Sequence, residues 1–368
     1  MKNIIDTEAK RLKLVRSLPA LVTLILIIIN LVIWHQTTTN TKKAYQDYFD
    51  FRVREAIINI ENRLSTYQQV LFSARGLYDA SRTVSRADYH SFVNAQHLEE
   101  NFPGIQGVGF SLILSPDMKN PHISAVRAEG FPEYNIRPEG ARDLYTSIVY
   151  LEPLADRNLR AFGYDMFSEP VRREAMERSR DTDSPAMSGK VRLVQESGKQ
   201  EQAGFLIYVP VYHNGLPHDT LSNRRANIIG WVYSPFRMND LMEGIQGEQA
   251  HDIDLEIFDG EKISADTLMY DSDASRERFP FDNKREDNTH RSTRQIEIAG
   301  HRWTVFTQAS QSFYDRIENN GADLVLISGT LGSCLSGLIL WLLIDGRVRA
   351  QKIAQEMVIP PKISGAQK

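Results

Sequence analysis

The sequence predicts an α+β protein with antiparallel sheets, a long helix near the N-terminus and a membrane-spanning helix towards each end. Three observations support this fold class. Two long apolar runs lie near the ends of the 368-residue chain, and a helical pattern of about 40 residues follows the first run. The remaining strands and helices do not alternate regularly, which favours an antiparallel sheet over a parallel one.

The composition is that of a globular protein, with 42% hydrophobic and 24% charged residues. The net charge of -4 argues against a nucleic-acid-binding protein, in which a basic surplus is expected. Cys334 is the only cysteine, so the chain can form neither an internal disulfide nor a cysteine zinc cluster. Because Cys334 lies in the second apolar run, we expect it to be a small packing residue.

The first apolar run, Leu18 to Trp34, is at the short end of the length that spans a bilayer. The flank at residues 10–16 is basic and residues 35–40 carry no full charge, which places the N-terminus in the cytoplasm. A cleaved signal peptide is the alternative interpretation. Trp34, His35 and Gln36 make a poor cleavage site, so we expect an uncleaved anchor.

A long amphipathic helix is predicted from about Thr39 to Ser81. Its apolar residues recur every three or four positions, namely Phe49, Val53, Ala56, Ile60, Leu64, Tyr67, Leu71, Ala74 and Tyr78. The stripe can pack against the helix's own domain, or it can pair with a second copy of the chain as a stalk. Both can hold, because so long a stripe can serve a partner near the membrane and its own domain further out.

The segments that follow predict a first sheet-containing unit. Ser85 and Asp88 have the spacing of a capping box and begin a second helix, which Pro103 and Gly104 end. Extended segments are predicted at residues 104–114, 122–126, 144–151, 189–196 and 204–212. The last two, joined by a polar turn at 198–202, are expected to form an antiparallel hairpin.

A second, smaller unit is predicted after the polar linker His213 to Asn227. Its predicted elements are a strand at 228–236, a helix at 238–245, strands at 253–258, 263–270, 294–298 and 301–307, and a short helix at 312–319. Ala299 and Gly300 form the turn of its last hairpin, and Arg276 to Arg291 is a charged insertion.

The second apolar run is Leu324 to Ile344, with basic residues directly after it. Both ends of the chain are therefore expected in the cytoplasm, with residues 36–323 on the extracytoplasmic side. Gly329, Ser333 and Gly337 recur every four residues in this run. Such spacing lets two helices approach closely, although small residues are also common in membrane helices in general.

These elements divide the chain into seven predicted segments. They are a cytoplasmic N-terminus (1–17), a first transmembrane helix (18–35), a stalk helix (36–84), a membrane-distal unit (85–225), a membrane-proximal unit (226–311), a second transmembrane helix (322–344) and a short cytoplasmic tail (345–368).

The stretch from Tyr150 to Arg180 carries an unusual acid. Asp165 lies between Tyr164 and Met166 in an apolar run, directly before a helix for which Ser168 is the predicted N-cap. Buried acids are costly unless they are paired. Asp165 is therefore expected to face solvent, to pair with an arginine such as Arg160, to stabilise the following helix, or to meet a ligand.

No catalytic or metal-binding pattern is found, so we expect neither an enzyme nor a cofactor. His213 and His218 lack an acidic partner at ligand spacing, which indicates surface residues. Asp252 and Asp254 alternate along a strand and are expected on its solvated face. Arg172 and Arg173 are expected to balance the glutamates of their own helix.

Five segments in order resemble the CHASE domain. They are residues 102–110 (FPGIQGVGF), 150–153 (YLEP), 157–176 (RNLRAFGYDMFSEPVRREAM), 186–196 (AMSGKVRLVQE) and 204–212 (GFLIYVPVY). This module is the extracellular sensor of cytokinin-receptor histidine kinases and of bacterial sensor kinases and diguanylate cyclases. The resemblance covers about residues 73–236, between the two predicted spans.

The resemblance implies a long N-terminal helix, two tandem PAS-like units, a small ligand in the membrane-distal unit and a homodimer with paired long helices. Asp165 would accept hydrogen bonds from the ligand, with Tyr164 beside it, Met187 lining the pocket and Gln195 or Glu196 at its edge. The plant receptors have Leu-Thr-Ser-Pro where this chain has Met187 to Lys190. The ligand therefore need not be a purine.

The family normally continues into a cytoplasmic transmitter. Here residues 347–357 resemble the start of the output helix, and Pro360 and Pro361 are expected to stop it. We therefore expect a two-pass sensor of the inner membrane, with a periplasmic main domain and no transmitter of its own. The alternative is a ligand-free regulatory or structural subunit that pairs with a full-length sensor kinase or diguanylate cyclase in trans.

Overall fold

The computed structural model describes residues 2–102, 104–196, 201–246, 252–273, 290–317 and 321–358. The chain divides into two compact units. The small unit consists of Met1–Tyr48 and Arg316–Lys368, and the large unit is Phe49–Asp315. Residues 276–289 of the predicted charged insertion lie outside the described residues.

The described part of the chain forms helices and strands in the following order. The helices are α1 (Lys2–Asp79), α2 (Arg86–Asn94), α3 (Leu98–Asn101), α4 (Lys119–Ala128), α5 (Pro170–Thr182), α6 (Leu221–Asn227), α7 (Met238–Gln246), α8 (Gln311–Ile317) and α9 (Gly321–Val358). The strands are β1 (Val108–Leu114), β2 (Tyr145–Glu152), β3 (Ala186–Met187), β4 (Gly204–Tyr212), β5 (Ile228–Arg237), β6 (Ile253–Asp259), β7 (Leu268–Asp271), β8 (Arg291–Ile298) and β9 (His301–Ala309).

The large unit contains two sheets, whose strand orders are β2-β1-β5-β4-β3 and β7-β6-β9-β8. Every pairing within them is antiparallel. The predicted α+β class with a long N-terminal helix and two antiparallel sheets is therefore confirmed. The capping box of α2 is also present, since Ser85 and Asp88 each bind the other's backbone amide.

The predicted stripe of α1 is the face that the large unit buries. Phe49, Val53, Ile60, Leu64 and Tyr67 are all at most 3% exposed. From Ile60 onward the stripe joins one hydrophobic cluster with alternate residues of β4 and β5. The other residues of these strands form a second cluster with α5. Because successive side chains of a strand point to opposite sides, the two clusters lie on the two faces of the five-stranded sheet.

Two strand predictions are wrong. Residues 122–126 lie in helix α4 and not in a strand. Ile123 and Val126, three residues apart, share the buried face of this helix, and five residues are too few to distinguish the two periods. Within the strand predicted at 189–196, only a single bridge at Val191 forms, and the short strand β3 lies before it. The Lys190 amide donates instead to the Asp259 carboxylate of β6 at 2.8 Å.

The strand at 228–236 also differs from the prediction. The sequence predicts that this strand begins the second unit. In the structure it is β5, the central strand of the five-stranded sheet. It pairs with β1 on one side and with β4 on the other. The polar linker before it contains α6 and returns the chain to the same sheet, so it does not separate the two sheets.

Asp252 does not lie on a solvated face. Its side chain is 1% exposed, and the Arg52 Nε of α1 lies 3.8 Å from its carboxylate. Cys334 differs from the prediction as well, because it is exposed on the surface of α9. Neither position could be assigned from strand or helix periodicity, since each depends on which neighbour covers the residue.

In the small unit, α1 and α9 pack closely through polar and small residues. Asn30 Nδ2 donates to the Leu326 carbonyl at 3.0 Å and to Thr330 Oγ1 at 3.2 Å. A methyl group at Gly329 would clash with Asn30, and one at Gly337 would clash with the Thr23 side chain. The small residues of α9 thus allow close approach to a helix of the same chain.

Both helices of the small unit are long and apolar enough to cross a membrane. The apolar windows fall within residues 14–79 and 321–354. By length and composition these two helices indicate a membrane protein.

Glu256 of β6 gives the four-stranded sheet a titratable position. It pairs in register with Asp271 of β7. Burial, and then the charges of Asp271 and Asp254, raise the pKa of Glu256 to about 7. A carboxyl whose pKa is raised on folding stabilises the fold below its unfolded pKa. That contribution is lost as the pH rises through the folded pKa.

We therefore expect the stability of the large unit to fall by about 1–2 kcal/mol between pH 5 and pH 8 because of this one group, a value reduced for partial solvent screening. Glu256→Gln should remove that loss. The measurement is the thermal unfolding midpoint of the full chain in lipid nanodiscs across this pH range. Equal pH dependence in the variant and the wild type would contradict the assignment.

Candidate functional site

Asp165 lies in a loop that follows the outer edge of β2. The Gly163 amide donates to the Ile148 carbonyl at 3.0 Å, and the Ile148 amide donates back to the Tyr164 carbonyl at 3.2 Å. On its other side the loop pairs with Arg137, whose carbonyl accepts from the Asp165 amide at 2.6 Å. The apolar run that carries Asp165 is therefore a loop between two short 3-10 turns, Asp156–Arg160 and Met166–Ser168.

Asp165 is fully buried, and hydrogen bonds hold one of its two carboxylate oxygens. Its Oδ1 accepts from the Thr146 amide at 3.0 Å and from the Thr146 hydroxyl at 2.7 Å. Arg142 Nη1 lies 3.4 Å from Oδ2, but Oδ2 accepts no hydrogen bond from the described residues. The partner is thus Arg142 and not Arg160, which donates to the Gln195 carbonyl.

Helix α5 begins one residue later than predicted. The N-cap is Glu169, whose carboxylate accepts from the amides of Val171 and Arg172 at 3.0 Å each. Ser168 instead donates its hydroxyl hydrogen back to the Asp165 carbonyl at 2.6 Å. The serine therefore closes the turn after Asp165, and the glutamate stabilises the helix.

The side of the five-stranded sheet that α5 and the loop Tyr164–Phe167 cover is called here the Asp165 face. Its strands contribute aromatic and hydroxyl side chains that sequence reasoning missed. The ring of Phe167 stacks on Trp231 with 6.1 Å between centroids, and Tyr208 lies 6.2 Å from Tyr233. The sequence signal that could have identified them is the presence of Tyr and Trp at alternate positions of the otherwise apolar strands β4 and β5, because alternate side chains share one face of a sheet.

Two hydroxyl groups on the Asp165 face are buried without a hydrogen-bond partner in the described part of the chain. They belong to Ser111 of β1 and Tyr233 of β5. Burial, with smaller contributions from neighbouring tyrosines, raises the pKa of Tyr233 well above its usual value. Tyr233 is therefore a neutral donor at physiological pH. Buried polar groups without a partner are uncommon and each needs an explanation.

Arg172 contributes a buried cation to the same face, and it pairs with a glutamate of its own helix, as the sequence predicts. Its side chain is 5% exposed and lies 3.5 Å from the Glu169 carboxylate. It donates to the Arg192 carbonyl at 2.8 Å and to the Tyr164 hydroxyl at 3.3 Å. Arg172 thus connects α5 to Tyr164, the residue next to Asp165.

The other two predicted ligand-binding residues, Met187 and Glu196, do not lie near Tyr164 and Asp165 on the Asp165 face. Met187 is fully buried in the cluster on the opposite face of the sheet, together with residues of α1. The Glu196 carboxylate accepts from Arg237 Nε at 2.6 Å and is thereby paired near the start of α7. Among the residues that the structure describes, no group of three or more potential ligands could hold a metal ion.

Comparison with known families identifies the CHASE domain. The CHASE domain model matches residues 82–270, which is slightly more than half of the chain. A search among curated proteins finds no match to the sequence.

Three solved structures are similar to this chain at low sequence identity. The periplasmic sensory domain of the Campylobacter jejuni chemoreceptor Tlp1 is 8% identical, with 75% of this chain and 98% of that chain covered and a TM-score of 0.46. A protein described as methyl-accepting chemotaxis protein X is 12% identical, with 73% and 98% covered and a TM-score of 0.42. The ligand-binding domain of the Pseudomonas aeruginosa amino acid chemoreceptor PctC, in complex with GABA, is 10% identical, with 68% and 94% covered and a TM-score of 0.38.

Proposed function

The chain belongs to the CHASE domain family, and on that basis we propose a membrane-anchored sensor that binds a small ligand on the Asp165 face. The family is one of sensor modules, and two candidate membrane-spanning helices flank the domain. The finer proposal is that ligand binding changes the conformation of the large unit. This change then passes to the membrane helices.

One observation carries the ligand-binding proposal. Beneath α5, the Asp165 face holds the Ser111 and Tyr233 hydroxyls and the Asp165 Oδ2 without hydrogen bonds from the described residues. Leaving such groups unpaired costs about 1–3 kcal/mol each. A small molecule that has both donor and acceptor groups, and a flat apolar part to pack on Trp231 and Phe167, would recover this cost.

A chain of contacts supports a route for the signal. Arg178 of α5 donates to the Met187 carbonyl at 2.6 Å, and the Met187 amide donates to the Ala299 carbonyl at 3.0 Å. Asp259 of the four-stranded sheet accepts from the Lys190 amide at 2.8 Å and pairs with His301 Nε2 at 2.6 Å. A displacement of α5 would therefore move the β8–β9 hairpin, which precedes α8 and α9 in the chain.

The proposed sensor is a homodimer paired through α1. Phe51, Ile58 and Phe72 are 50%, 51% and 38% exposed on the helix. They occur at steps of seven and fourteen residues, the repeat by which one face of a helix meets a partner helix. The basic flanks of the two candidate spans support a topology with both chain ends in the cytoplasm.

The test is a thermal-shift screen of the full chain in nanodiscs against amino acids, organic acids, purines and polyamines, followed by calorimetry of any compound that stabilises it. Tyr233→Phe and Ser111→Ala are expected to weaken binding at least about tenfold each, as the loss of one buried hydrogen bond predicts. Tyr78→Phe is the matched control, since its hydroxyl is also buried and makes no hydrogen bond to the described residues but belongs to the opposite face.

Two results would contradict the proposal. One is a library in which no compound stabilises the chain. The other is a bound compound whose affinity is the same for wild type, Tyr233→Phe and Ser111→Ala, which would place its site elsewhere.

A further inference from the structure

A separate cleft of about 360 Å³ opens between the segment before β1 and the segment after β2. It shares no residue with the Asp165 face. Its lining includes Glu99, Phe102, Ile105, Gln106, Arg157 and Asn158. The volume lies at the lower end of the range for small-molecule sites, so the occupant must be small.

Asn158 forms the fixed polar part of the wall. It is 4% exposed, and its Nδ2 donates to the Gln106 and Pro153 carbonyls at 2.9 Å each. Because both acceptors are carbonyl oxygens, only the amide nitrogen can face them, which determines the orientation of the side chain. The opposite atom, Oδ1, is buried and accepts no hydrogen bond from the described residues.

The cleft also has two charges of opposite sign that are not used elsewhere. Glu99 and Arg157 are both exposed, and both line the cleft. Within the described ranges neither forms a hydrogen bond or an ion pair. An arginine fork is suited to a carboxylate, whereas a carboxylate and an amide oxygen together accept from an ammonium group.

The remaining wall is apolar and touches the long helix. Leu98, Phe102 and Ile105 present hydrocarbon surface to the cleft, and the ring of Phe102 meets Tyr67 of α1 edge to face at 6.4 Å. Gln106 Nε2 donates to Asp240 of α7 at 3.1 Å. A molecule bound here would therefore contact residues that pack directly on α1 and α7.

We propose that this Asn158 cleft is a second binding site of the large unit, and that it takes a small zwitterion such as an aliphatic α-amino acid. Arg157 holds the carboxylate, Glu99 and Asn158 Oδ1 accept from the ammonium group, and the side chain packs on Phe102 and Ile105. The proposal does not depend on a ligand at the Asp165 face.

The experiment is calorimetric titration of the full chain in nanodiscs with L-alanine, L-valine and L-leucine at up to millimolar concentration. Two analogues of leucine each lack one charge. They are 4-methylpentanoate, without the ammonium group, and 3-methylbutylamine, without the carboxylate. We expect binding of at least one amino acid, and at least about tenfold weaker binding of both analogues.

The exposed positions of Glu99 and Arg157 make Glu99→Gln and Arg157→Gln suitable variants, because neither should impair folding. Each is expected to weaken amino acid binding at least about tenfold. Glu133→Gln and Arg294→Gln, at exposed positions outside the cleft, are the matched controls and should bind like wild type. Tyr233→Phe should also leave this binding unchanged.

Three outcomes would overturn the inference: no binding of any of the three amino acids, equal binding of the singly charged analogues, or wild-type affinity in both cleft variants. Amino acid binding that is lost in Tyr233→Phe but kept in Arg157→Gln would also overturn it, by locating the zwitterion at the Asp165 face. In that last case the proposed sensor function would stand.

Discussion

Replacing Asp165 with alanine is expected to lower the free energy of unfolding of the large unit by about 3 kcal/mol, whether or not a ligand is present. Asp165 is fully buried and accepts from both the amide and the hydroxyl of Thr146. Arg142, 3.4 Å away, would lose its counter-charge. Removing one partner of a buried charged pair typically costs about 3–5 kcal/mol, and the partly exposed Arg142 places this case at the low end.

Urea unfolding of the full chain in detergent micelles, followed by tryptophan fluorescence, measures this effect. Asp165→Asn is the matched control, because it keeps an acceptor for Thr146 and removes only the charge. We expect it to lose about 1 kcal/mol. If the alanine variant unfolded within about 0.5 kcal/mol of wild type, the carboxylate would have no structural role.

Gly163→Ala is expected to be at least as destabilising, by about 3 kcal/mol or more, and to displace the Asp165 loop from β2. Gly163 has a φ of +81°, and a methyl group there would clash with the Asn135 carbonyl oxygen. Left-handed backbone costs a side-chain-bearing residue about 1–2 kcal/mol. The shift of the loop that relieves the clash should cost about 1–3 kcal/mol more, as is typical of an overpacked core.

Gly130→Ala separates the two contributions. Gly130 also has a positive φ, of +105°, but an added methyl group would meet no neighbour within 4 Å. We expect it to cost only the backbone strain, about 1–2 kcal/mol. The same unfolding measurement applies, and equal losses for Gly163→Ala and Gly130→Ala would show that close packing of the loop contributes nothing.

The two predictions change how Asp165 should be tested as a ligand-binding residue. The family resemblance implies that Asp165 binds the ligand, and the structure shows that Asp165 holds its loop against β2 through Thr146. Loss of binding in Asp165→Ala would therefore not distinguish a missing ligand contact from a displaced loop. Ser111 and Tyr233 are better positions, since their hydroxyls make no hydrogen bond to the described residues.

Some elements could be predicted because their signals are local. The stripe of α1 repeats over about 40 residues, and the capping box at Ser85 needs only Asp88 three positions later. Strand β4 was predicted with the bounds Gly204–Tyr212 that the structure has. The order of the five CHASE-like segments led to the family for the same reason, since each segment is a contiguous stretch of sequence.

Other features depended on residues far apart in the chain. Arg142 is 23 residues before Asp165 in the sequence but lies 3.4 Å from its carboxylate. The Lys190 amide donates to Asp259, 69 residues later, and is therefore not available for the strand predicted at 189–196. β5 belongs to the first sheet, where it pairs with β1 on one side and with β4 on the other. Arg172 pairs with Glu169 of its own helix, as predicted, but only the packing of α5 on the sheet shows it to be buried.

By itself, then, the sequence determined the fold class, the long helix, the two apolar spans and the family, because each follows from periodicity, composition or a contiguous motif. Only the tertiary structure decided which side chains share a face of the sheet, which partner neutralises Asp165, and that Met187 lies on the other side from it. The physical reason is that burial and charge pairing are properties of neighbours in space. Those neighbours are set by strand order and register, which no local pattern in this chain encodes.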